Sequence, residues 1–202
     1  VSKPGNRWDG GVFDEWEVIN THSTAWFFIK VANSYASPYS QYHLSQKLEN
    51  PMRRAVTCLN NVQHEDGTID LHATNLHSTP DTAFLVNFLS PVYVVLKRLE
   101  RPSLNEIIVK LENFILNAGK CLVNGGVHTP NHRWVVCSAL ARVNSFFPHK
   151  KYVARIKTWL RERIDIDSDG QYSEHSVGSY SPVVDNMLLT VGTLLDRPKL
   201  LD

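Results

Sequence analysis

Two short polar segments in the C-terminal half of this 202-residue chain combine residue types that could do chemistry. Asn131 and His132 follow Thr129-Pro130, which predicts that both lie in the first turn of a helix. Free backbone N–H groups and the helix dipole favour an anion at such a position. An amide and an imidazole there could hold a carboxylate and offset its charge. Tyr180, just ahead of the helix start at Ser181-Pro182, would present a phenol from the neighbouring hairpin.

This combination suits β-elimination on a uronic-acid sugar. The hydrogen next to the carboxylate is only weakly acidic until the charge of the carboxylate is neutralised. A Tyr or His can then remove that hydrogen, and an acid can protonate the departing glycosidic oxygen. The reaction needs no redox-active or phosphate-binding group, so we expect no cofactor. The alternative is that Asn131 is only a first-turn polar residue, His132 a capping or packing group and Tyr180 an amphipathic loop anchor.

Further candidates for substrate binding surround these residues. Arg133 could pair with a second carboxylate or a sulfate, or it could simply be solvated. Trp134 faces either a sugar ring or the helix core, because it belongs to the apolar set of its own helix. The remaining substrate-binding candidates lie in two long polar loops: His72, Asn75, His77, Tyr172 and Glu174.

Histidines are concentrated in the loops, which raises the question of a metal. Six of the nine lie there: His64, His72, His77, His128, His132 and His175. The sequence has no HExxH motif and no closely spaced His/Asp triplet, so zinc ligands would have to come from three separate hairpins. A lone loop histidine more often makes surface hydrogen bonds. The sequence therefore favours chemistry without a metal.

Two aspartates define an alternative enzyme. Asp81 and Asp185 each fall in the first turn after a helix-starting proline, where a carboxylate complements the helix dipole. Unsaturated glucuronyl hydrolases and other toroid glycosidases use such carboxylates as acid and base. A third possibility is a helical-repeat module that binds glycan or peptide without turnover.

The elements that must position these side chains are helices. Apolar residues recur at three-four spacing over 104–122 and 152–164, and alternation with a period of two is nearly absent. Helix starts at Pro80, Pro130 and Pro182 lie 50 and 52 residues apart. This period predicts stacked helical hairpins. Long polar loops precede these starts and short turns join the other ends, so a ligand would be met at one rim.

The fold prediction is therefore an all-α domain over residues 1–202, with about three to four hairpins in an incomplete (α/α) toroid. The same periodicity would allow an open, peptide-binding solenoid.

Composition excludes other classes of protein. With 21 Lys+Arg against 20 Asp+Glu, the net charge of +1 argues against a phosphate-neutralising nucleic-acid binder. At 43% hydrophobic residues the chain can bury a core, yet it has no apolar run long enough for a membrane span. Residues 1–5 form no apolar signal segment. Three cysteines without a CxxC pair predict buried small side chains, which we expect at Cys58, Cys121 and Cys137.

Over about residues 125–189, these motifs resemble the heparinase II/III-like and related alginate and chondroitin polysaccharide lyases, which have an (α/α) toroid domain. The resemblance implies that Asn131 and His132 neutralise the uronate carboxylate. It implies that Tyr180, 49 residues after Asn131, is the catalytic acid or base. The loop from Asp169-Gly170 to Tyr180 is also similar to that of hyaluronate and chondroitin lyases, which makes His175 a candidate partner base.

The resemblance has consequences beyond the site. It implies an acidic polysaccharide or oligosaccharide as substrate, with neither nucleic acid nor membrane as partner, and a periplasmic or extracellular location. Members of the family have about six hairpins and continue into a β-sandwich domain that supplies a further histidine. This chain would then be part of a longer lyase.

Overall fold

The computed structural model describes residues 5–72 and 74–200, and these residues are mostly helical, as the apolar spacing predicts. Residues 1–4, which belong to the N-terminal segment without a signal pattern, lie outside the described residues. The described residues contain the following helices: α1 (Thr21–Ala36), α2 (Glu49–Val62), α3 (Thr79–Arg98), α4 (Asn105–Asn124), α5 (Pro130–Phe146), α6 (Lys150–Arg161) and α7 (Tyr180–Leu194). Short 3₁₀ turns lie at Gln46–Leu48, Pro102–Leu104 and Pro198–Leu200.

Two short antiparallel hairpins, which the sequence analysis does not predict, precede α1 and α3. Strands β1 (Val12–Phe13) and β2 (Ile19–Asn20) pair with Val12 opposite Asn20. Strands β3 (Ile69–Leu71) and β4 (Asn75–Ser78) pair with Ile69 opposite Ser78 and have an irregular register between Ile69 and Leu71.

Each hairpin ends on the residue that caps the next helix. The side chain of Asn20 accepts a hydrogen bond from the backbone N–H of Ser23, at 2.8 Å. Ser78 accepts one from the N–H of Asp81, at 3.3 Å. These caps satisfy free N–H groups of the first turn, so the hairpins fix where α1 and α3 begin.

The helices stack as hairpins in two layers. Helices α1, α3, α5 and α7 contact one another in that order and form a first layer. Helices α2, α4 and α6 do the same in a second layer, and α1–α2, α3–α4 and α5–α6 pack as pairs across the layers. The hairpin array that the fifty-residue period predicts is therefore present.

The core lies between the layers. Its largest fully buried side chains include Phe28 from α1, Phe114 from α4 and Trp134 from α5. Helix α5 contacts α3, α4, α6 and α7, so its side chains are buried nearly all round. The three cysteines are buried and free, as predicted, and burial raises the pKa of each thiol to about 12.

Contacts within the first layer show that its helices run in the same direction. His22 and Asp81 bring the first turns of α1 and α3 together. Ser138 donates to Asn87 between the middles of α5 and α3, at 2.7 Å. Arg142 donates to Thr190 between the second halves of α5 and α7, at 3.3 Å. The first turns of α1, α3, α5 and α7 therefore lie at one end of the layer, which we call the N-terminal rim.

Contrary to the expectation of no membrane-length segment, helix α3 is long and apolar enough to cross a membrane by length and composition. Two thirds of that stretch, 67%, is buried inside the fold, and it contacts α1, α4 and α5. Its apolar character is therefore accounted for by its central place in the core.

Candidate functional site

The N-terminal rim brings together three titratable side chains, His22, Asp81 and His132, which we call the rim cluster. They come from the first turns of α1, α3 and α5. Nε2 of His22 lies 3.7 Å from Oδ1 of Asp81, and the charge of Asp81 also acts on His132. The cluster joins residues that are far apart in the sequence.

Asp81 is held in place by a reciprocal cap. The hydroxyl of Ser78 donates to Oδ2 of Asp81, while the N–H of Asp81 donates back to that hydroxyl. This arrangement agrees with the plain interpretation of Asp81 as a first-turn residue that stabilises the helix start. Its other carboxylate oxygen faces His22, so Asp81 also sets the electrostatics of the rim cluster.

Burial favours the neutral form of His22. Burial lowers the pKa of His22, and the nearby charge of Asp81 only partly offsets the effect. Its Nδ1 is buried and has no hydrogen-bond partner among the described residues. The sequence analysis missed His22, although its place two residues after the helix-capping Asn20 resembles that of Asp81 after its own cap.

Burial favours the neutral form of His132 as well. Burial lowers its pKa, Asp81 opposes this change, and His128 lowers the pKa further. Its ring meets the ring of Phe84 edge-on, with centroids 6.1 Å apart, and Nδ1 has no partner in the described part of the chain. A neutral imidazole can accept a proton, but it offsets a carboxylate charge less well than the sequence analysis expected.

Asn131 lies beneath the surface, at 1% exposure. Its Oδ1 accepts a hydrogen bond from the hydroxyl of Thr129, at 2.8 Å. Because the Thr129 side chain is turned toward Asn131, it does not cap the backbone of α5. At this helix start Pro130 has no N–H and the N–H of His132 donates to the carbonyl of Thr129, at 3.2 Å, so a carboxylate would meet chiefly the backbone N–H of Asn131.

Tyr180 is the first residue of α7 and is half-exposed. Helices α5 and α7 pack together and start at the same rim, so Tyr180 shares the rim with His132. Within the described ranges, however, no hydrogen bond or ring contact joins the Tyr180 side chain to the rim cluster.

The loop from α6 to α7 is built around Asp167. Its Oδ1 accepts from the N–H groups of Asp169 and Gln171, at 3.0 and 2.8 Å, and Gly170 has a φ of +78°. The turn that Asp169-Gly170 indicates is therefore present. His175 is exposed in the same loop, with its backbone N–H bonded to the carbonyl of Tyr172 and a φ of +46°.

Tyr172 and Asp185 tie this loop to α7. The Tyr172 hydroxyl donates to Oδ1 of Asp185 at 2.5 Å. Burial, together with this carboxylate, raises the pKa of Tyr172 well above its usual value. Asp185 therefore pairs with Tyr172, whereas Asp81 pairs with Ser78 and faces His22. Glu174, in the same loop, has its Oε2 buried without a partner among the described residues.

Arg133 and Trp134 are already engaged within the protein. Arg133 donates to Glu162 at 3.2 Å and to Asp165, and only 13% of its side chain is exposed. Trp134 is 1% exposed and lies under the Arg133 guanidinium, 5.0 Å from the ring centroid. The core interpretation of Trp134 therefore fits its position, and it has no exposed face for a sugar.

The loop ahead of α3 holds a paired set of His and Asp side chains. His77 bonds Asp66 at 3.1 Å through Nδ1, and His64 bonds Asp70 at 2.8 Å through Nε2. These contacts make His77 part of the hairpin framework. Asn75 lies in β4 opposite Leu71, and no side-chain hydrogen bond of Asn75 is seen in the described residues.

His72 lies apart from these pairs. It is exposed, and its ring contacts Trp8 with centroids 5.1 Å apart. The described residues contain no group of three or more His, Cys, Asp or Glu side chains that could hold a metal ion.

An aromatic strip runs along the first layer below the rim cluster. Trp26, Phe84 and Phe88 form it, with centroids 4.9 Å apart for Trp26–Phe88 and 6.1 Å for Phe84–Phe88. Trp26 is 44% exposed, and Phe84 touches His132. The sequence analysis missed this strip, although Trp26 lies four residues after His22 and Phe84 three after Asp81, which is the spacing of one helix face.

Comparisons of the chain with protein-family models, with curated proteins and with solved structures find no match. The site therefore has to be interpreted from its own geometry.

Proposed function

We propose that the chain is part of a polysaccharide lyase that cleaves a uronic-acid glycan by β-elimination at the N-terminal rim. The observation that carries the proposal is the rim cluster, in which the imidazole of His132 lies in the first turn of α5, a helix start without a side-chain cap. The imidazole of His132 can take a proton and the start of α5 can hold a carboxylate, which are the two requirements of this reaction.

Substrate binding would combine two features of the first layer. The uronate carboxylate would accept a hydrogen bond from the backbone N–H of Asn131 at the start of α5, since Pro130 has no N–H and that of His132 donates to the carbonyl of Thr129. Sugar rings on either side would lie on the aromatic strip, whose faces are partly exposed.

In the chemical step, Nε2 of His132 would take the proton from the carbon next to the carboxylate. The electron pair of that C–H bond forms a carbon–carbon double bond, and the bond from the adjacent carbon to the glycosidic oxygen breaks. Tyr180 would give its hydroxyl proton to the departing oxygen. Transfer of the proton from His132 back to Tyr180 through water would restore both groups.

Asp81 would act through the histidines, since its carboxylate faces His22 and raises the pKa of both imidazoles against the effect of burial. His175 remains a candidate second base, because it is exposed in the loop that leads to Tyr180.

The glycosidase alternative has less support. Asp81 and Asp185 have different partners, His22 with Ser78 and Tyr172 respectively, and no contact joins the two carboxylates among the described residues. A hydrolase needs both carboxylates at one glycosidic bond. A non-catalytic module would bind glycan without forming product, and this difference distinguishes it from the lyase by experiment.

The wider setting is part of the same proposal. The two-layer array of hairpins suits an (α/α) toroid, of which these helices would form about three to four hairpins. A β-sandwich domain of the same full-length protein would then complete the site, and a periplasmic or extracellular location would suit a polysaccharide substrate.

The test is formation of unsaturated uronate. The protein is incubated with a panel of uronic-acid polysaccharides, and ultraviolet absorbance of the unsaturated product is followed. We expect a signal with at least one member, and a loss of about 100-fold in rate for Tyr180→Phe and for His132→Ala. Tyr39→Phe is the matched control, because Tyr39 is 98% exposed in the loop after α1. Glycan binding without any absorbance change would support the binding module instead.

A further inference from the structure

We propose that the β1–β2 hairpin forms a sugar subsite that takes a neutral pyranose, adjacent to the uronate held at the rim. This inference rests on the proposed function and names the substrate class more narrowly, as a glycan in which uronates are linked to uncharged sugars. The residues that carry it are Trp16, Ser23 and His72.

These residues line a cavity of about 460 Å³ between the β1–β2 hairpin, the start of α1 and the end of β3. The volume falls in the usual range of small-ligand sites. His22 also lines it and at the same time contacts Asp81, so the cavity adjoins the rim cluster. A glycan bound at the rim would therefore place a neighbouring sugar here.

Trp16 is an exposed aromatic platform on a backbone held by hydrogen bonds. Its side chain is 77% exposed, the most of any tryptophan in the described residues. The hairpin that carries it is held by Asp14, whose Oδ1 accepts from the N–H groups of Trp16 and Val18, each at 2.9 Å. Its Oδ2 accepts from the side chain of Asn20, also at 2.9 Å. These bonds fix the backbone that presents the ring, so a ligand that covers Trp16 orders only its side chain.

Polar groups for sugar hydroxyls line the same cavity as Trp16. The hydroxyl of Ser23 and the ring nitrogens of His72 make no hydrogen bond in the described part of the chain, so they are available to a ligand. Asn20 is already used, since its side chain caps α1 and bonds Asp14. An apolar platform with a few unpaired polar groups is the usual composition of a sugar-sized site.

Charge decides which sugar fits. No Lys or Arg is among the described residues that line the cavity, and its one charged group, Asp14, is negative. A uronate there would lose water without gaining a cation and would be repelled by Asp14. A neutral pyranose has neither disadvantage, so this subsite selects against a second consecutive uronate.

The experiment compares two probes by titration calorimetry: unsulfated chondroitin hexasaccharide, in which uronate and neutral sugars alternate, and hexamannuronate, in which every sugar is charged. We expect wild type to prefer the alternating probe. Trp16→Ala should weaken binding of that probe about tenfold and change hexamannuronate binding less than twofold. Trp16→Phe should restore most of the affinity, because it keeps an aromatic face.

Equal weakening of both probes, an unchanged affinity of Trp16→Ala for the alternating probe, or a wild type that fails to bind that probe would each overturn the subsite. The side chain is mostly exposed, so the variant is expected to fold, and its melting temperature checks this. Absorbance of the unsaturated product in wild type tests the lyase proposal separately, because it does not depend on Trp16.

Discussion

His64 and His77 stack their imidazole rings with centroids 3.8 Å apart and an angle of 21° between the ring planes. The stack joins the end of α2 to strand β4, since His64 follows α2 and His77 lies in β4. Asp70 holds both residues, because its Oδ1 accepts from Nε2 of His64 and from the backbone N–H of His77, each at 2.8 Å. This carboxylate therefore fixes the loop that leads into α3.

Asp70→Ala should lower the free energy of unfolding at pH 7 by about 2 kcal/mol, because two hydrogen bonds to a charged acceptor are lost. Burial alone would raise the pKa of Asp70, but the bonds from His77 and His64 outweigh it and the pKa is lowered. The contribution is thus fully present above the unfolded value of 3.8 and is lost as the pH falls through the lower folded value. Urea unfolding across this range measures it.

The matched control is Asp169→Ala, an exposed aspartate whose side chain makes no hydrogen bond in the described residues. It should change stability by less than about 0.5 kcal/mol. A difference between Asp70→Ala and wild type that stays constant down to pH 3 would contradict the assignment.

The two histidines of the rim cluster predict a second pH dependence. Burial lowers the pKa of His22 and of His132 below 6.5, the usual value of an unfolded histidine, so the unfolded chain binds protons that the folded chain does not. Stability from these groups is full above 6.5 and falls as the pH decreases toward the folded values. Histidine proton NMR should show both rings titrating below 6.5, and a titration at or above that value would refute the neutral-imidazole assignment.

Asp81→Asn should shift both titrations further down. Its charge raises the pKa of both imidazoles, and the substitution removes that charge while keeping a polar side chain next to Ser78. The same NMR spectra report the effect. If the titration of His132 did not change, the conclusion that Asp81 raises the pKa of His132 would be wrong.

Two glycines with similar backbone angles form a matched pair. Gly67 has a φ of +89°, and a Cβ there would lie 2.1 Å from the carbonyl oxygen of Asn117 in α4. Gly170 has a φ of +78° with nothing within 4 Å. Ala at position 170 should therefore cost only the backbone term, about 1 kcal/mol, whereas Ala at position 67 adds a clash with backbone and should cost about 2 kcal/mol more. Thermal unfolding of both variants compares them, and equal costs would contradict the close approach of Gly67 to α4.

We expect Arg133 to stabilise the fold rather than to bind substrate. Its guanidinium pairs with Glu162 and Asp165, which joins the start of α5 to the segment after α6. Arg133→Ala should lower the free energy of unfolding by about 1 kcal/mol, because both partners are partly exposed. Glycan affinity should stay within twofold of wild type. A tenfold loss of affinity without a change in stability would return Arg133 to the substrate-binding residues.

The parts of this fold that could be predicted from the sequence are those with local signals. Apolar spacing identifies α4 and α6, and the prolines at 80 and 130 mark the starts of α3 and α5, because cap and first-turn preferences depend on neighbouring residues only. Helix α7 instead begins at Tyr180, two residues before Pro182, so the predictions that Tyr180 precedes this helix and that Asp185 lies in its first turn were wrong. Strands β1 to β4 escaped prediction because two to four residues are too few for a period-two pattern.

Long-range relations of the site had no local signal. His22 meets Asp81 only because α1 packs on α3, and Tyr172 meets Asp185 only because a loop folds back on α7. The spacing of Trp134 was compatible with both the core and the surface. Only the packing of α5 between its neighbouring helices places this side chain in the core. The lowered pKa of His132 likewise depends on burial, which residue types alone do not give.

Asn20 and Ser78 each close a strand ladder and open a helix, which couples the pairing register of a hairpin to the rotation of the helix that follows. A helix turns about 100° per residue. One residue inserted into β2 or β4 would therefore swing His22 or Asp81 away from the other by more than a quarter turn, even if every helix stayed intact. These two short sheets therefore set how His22 and Asp81 face each other. We expect length changes in them to be far less tolerated than in the exposed loop after α1.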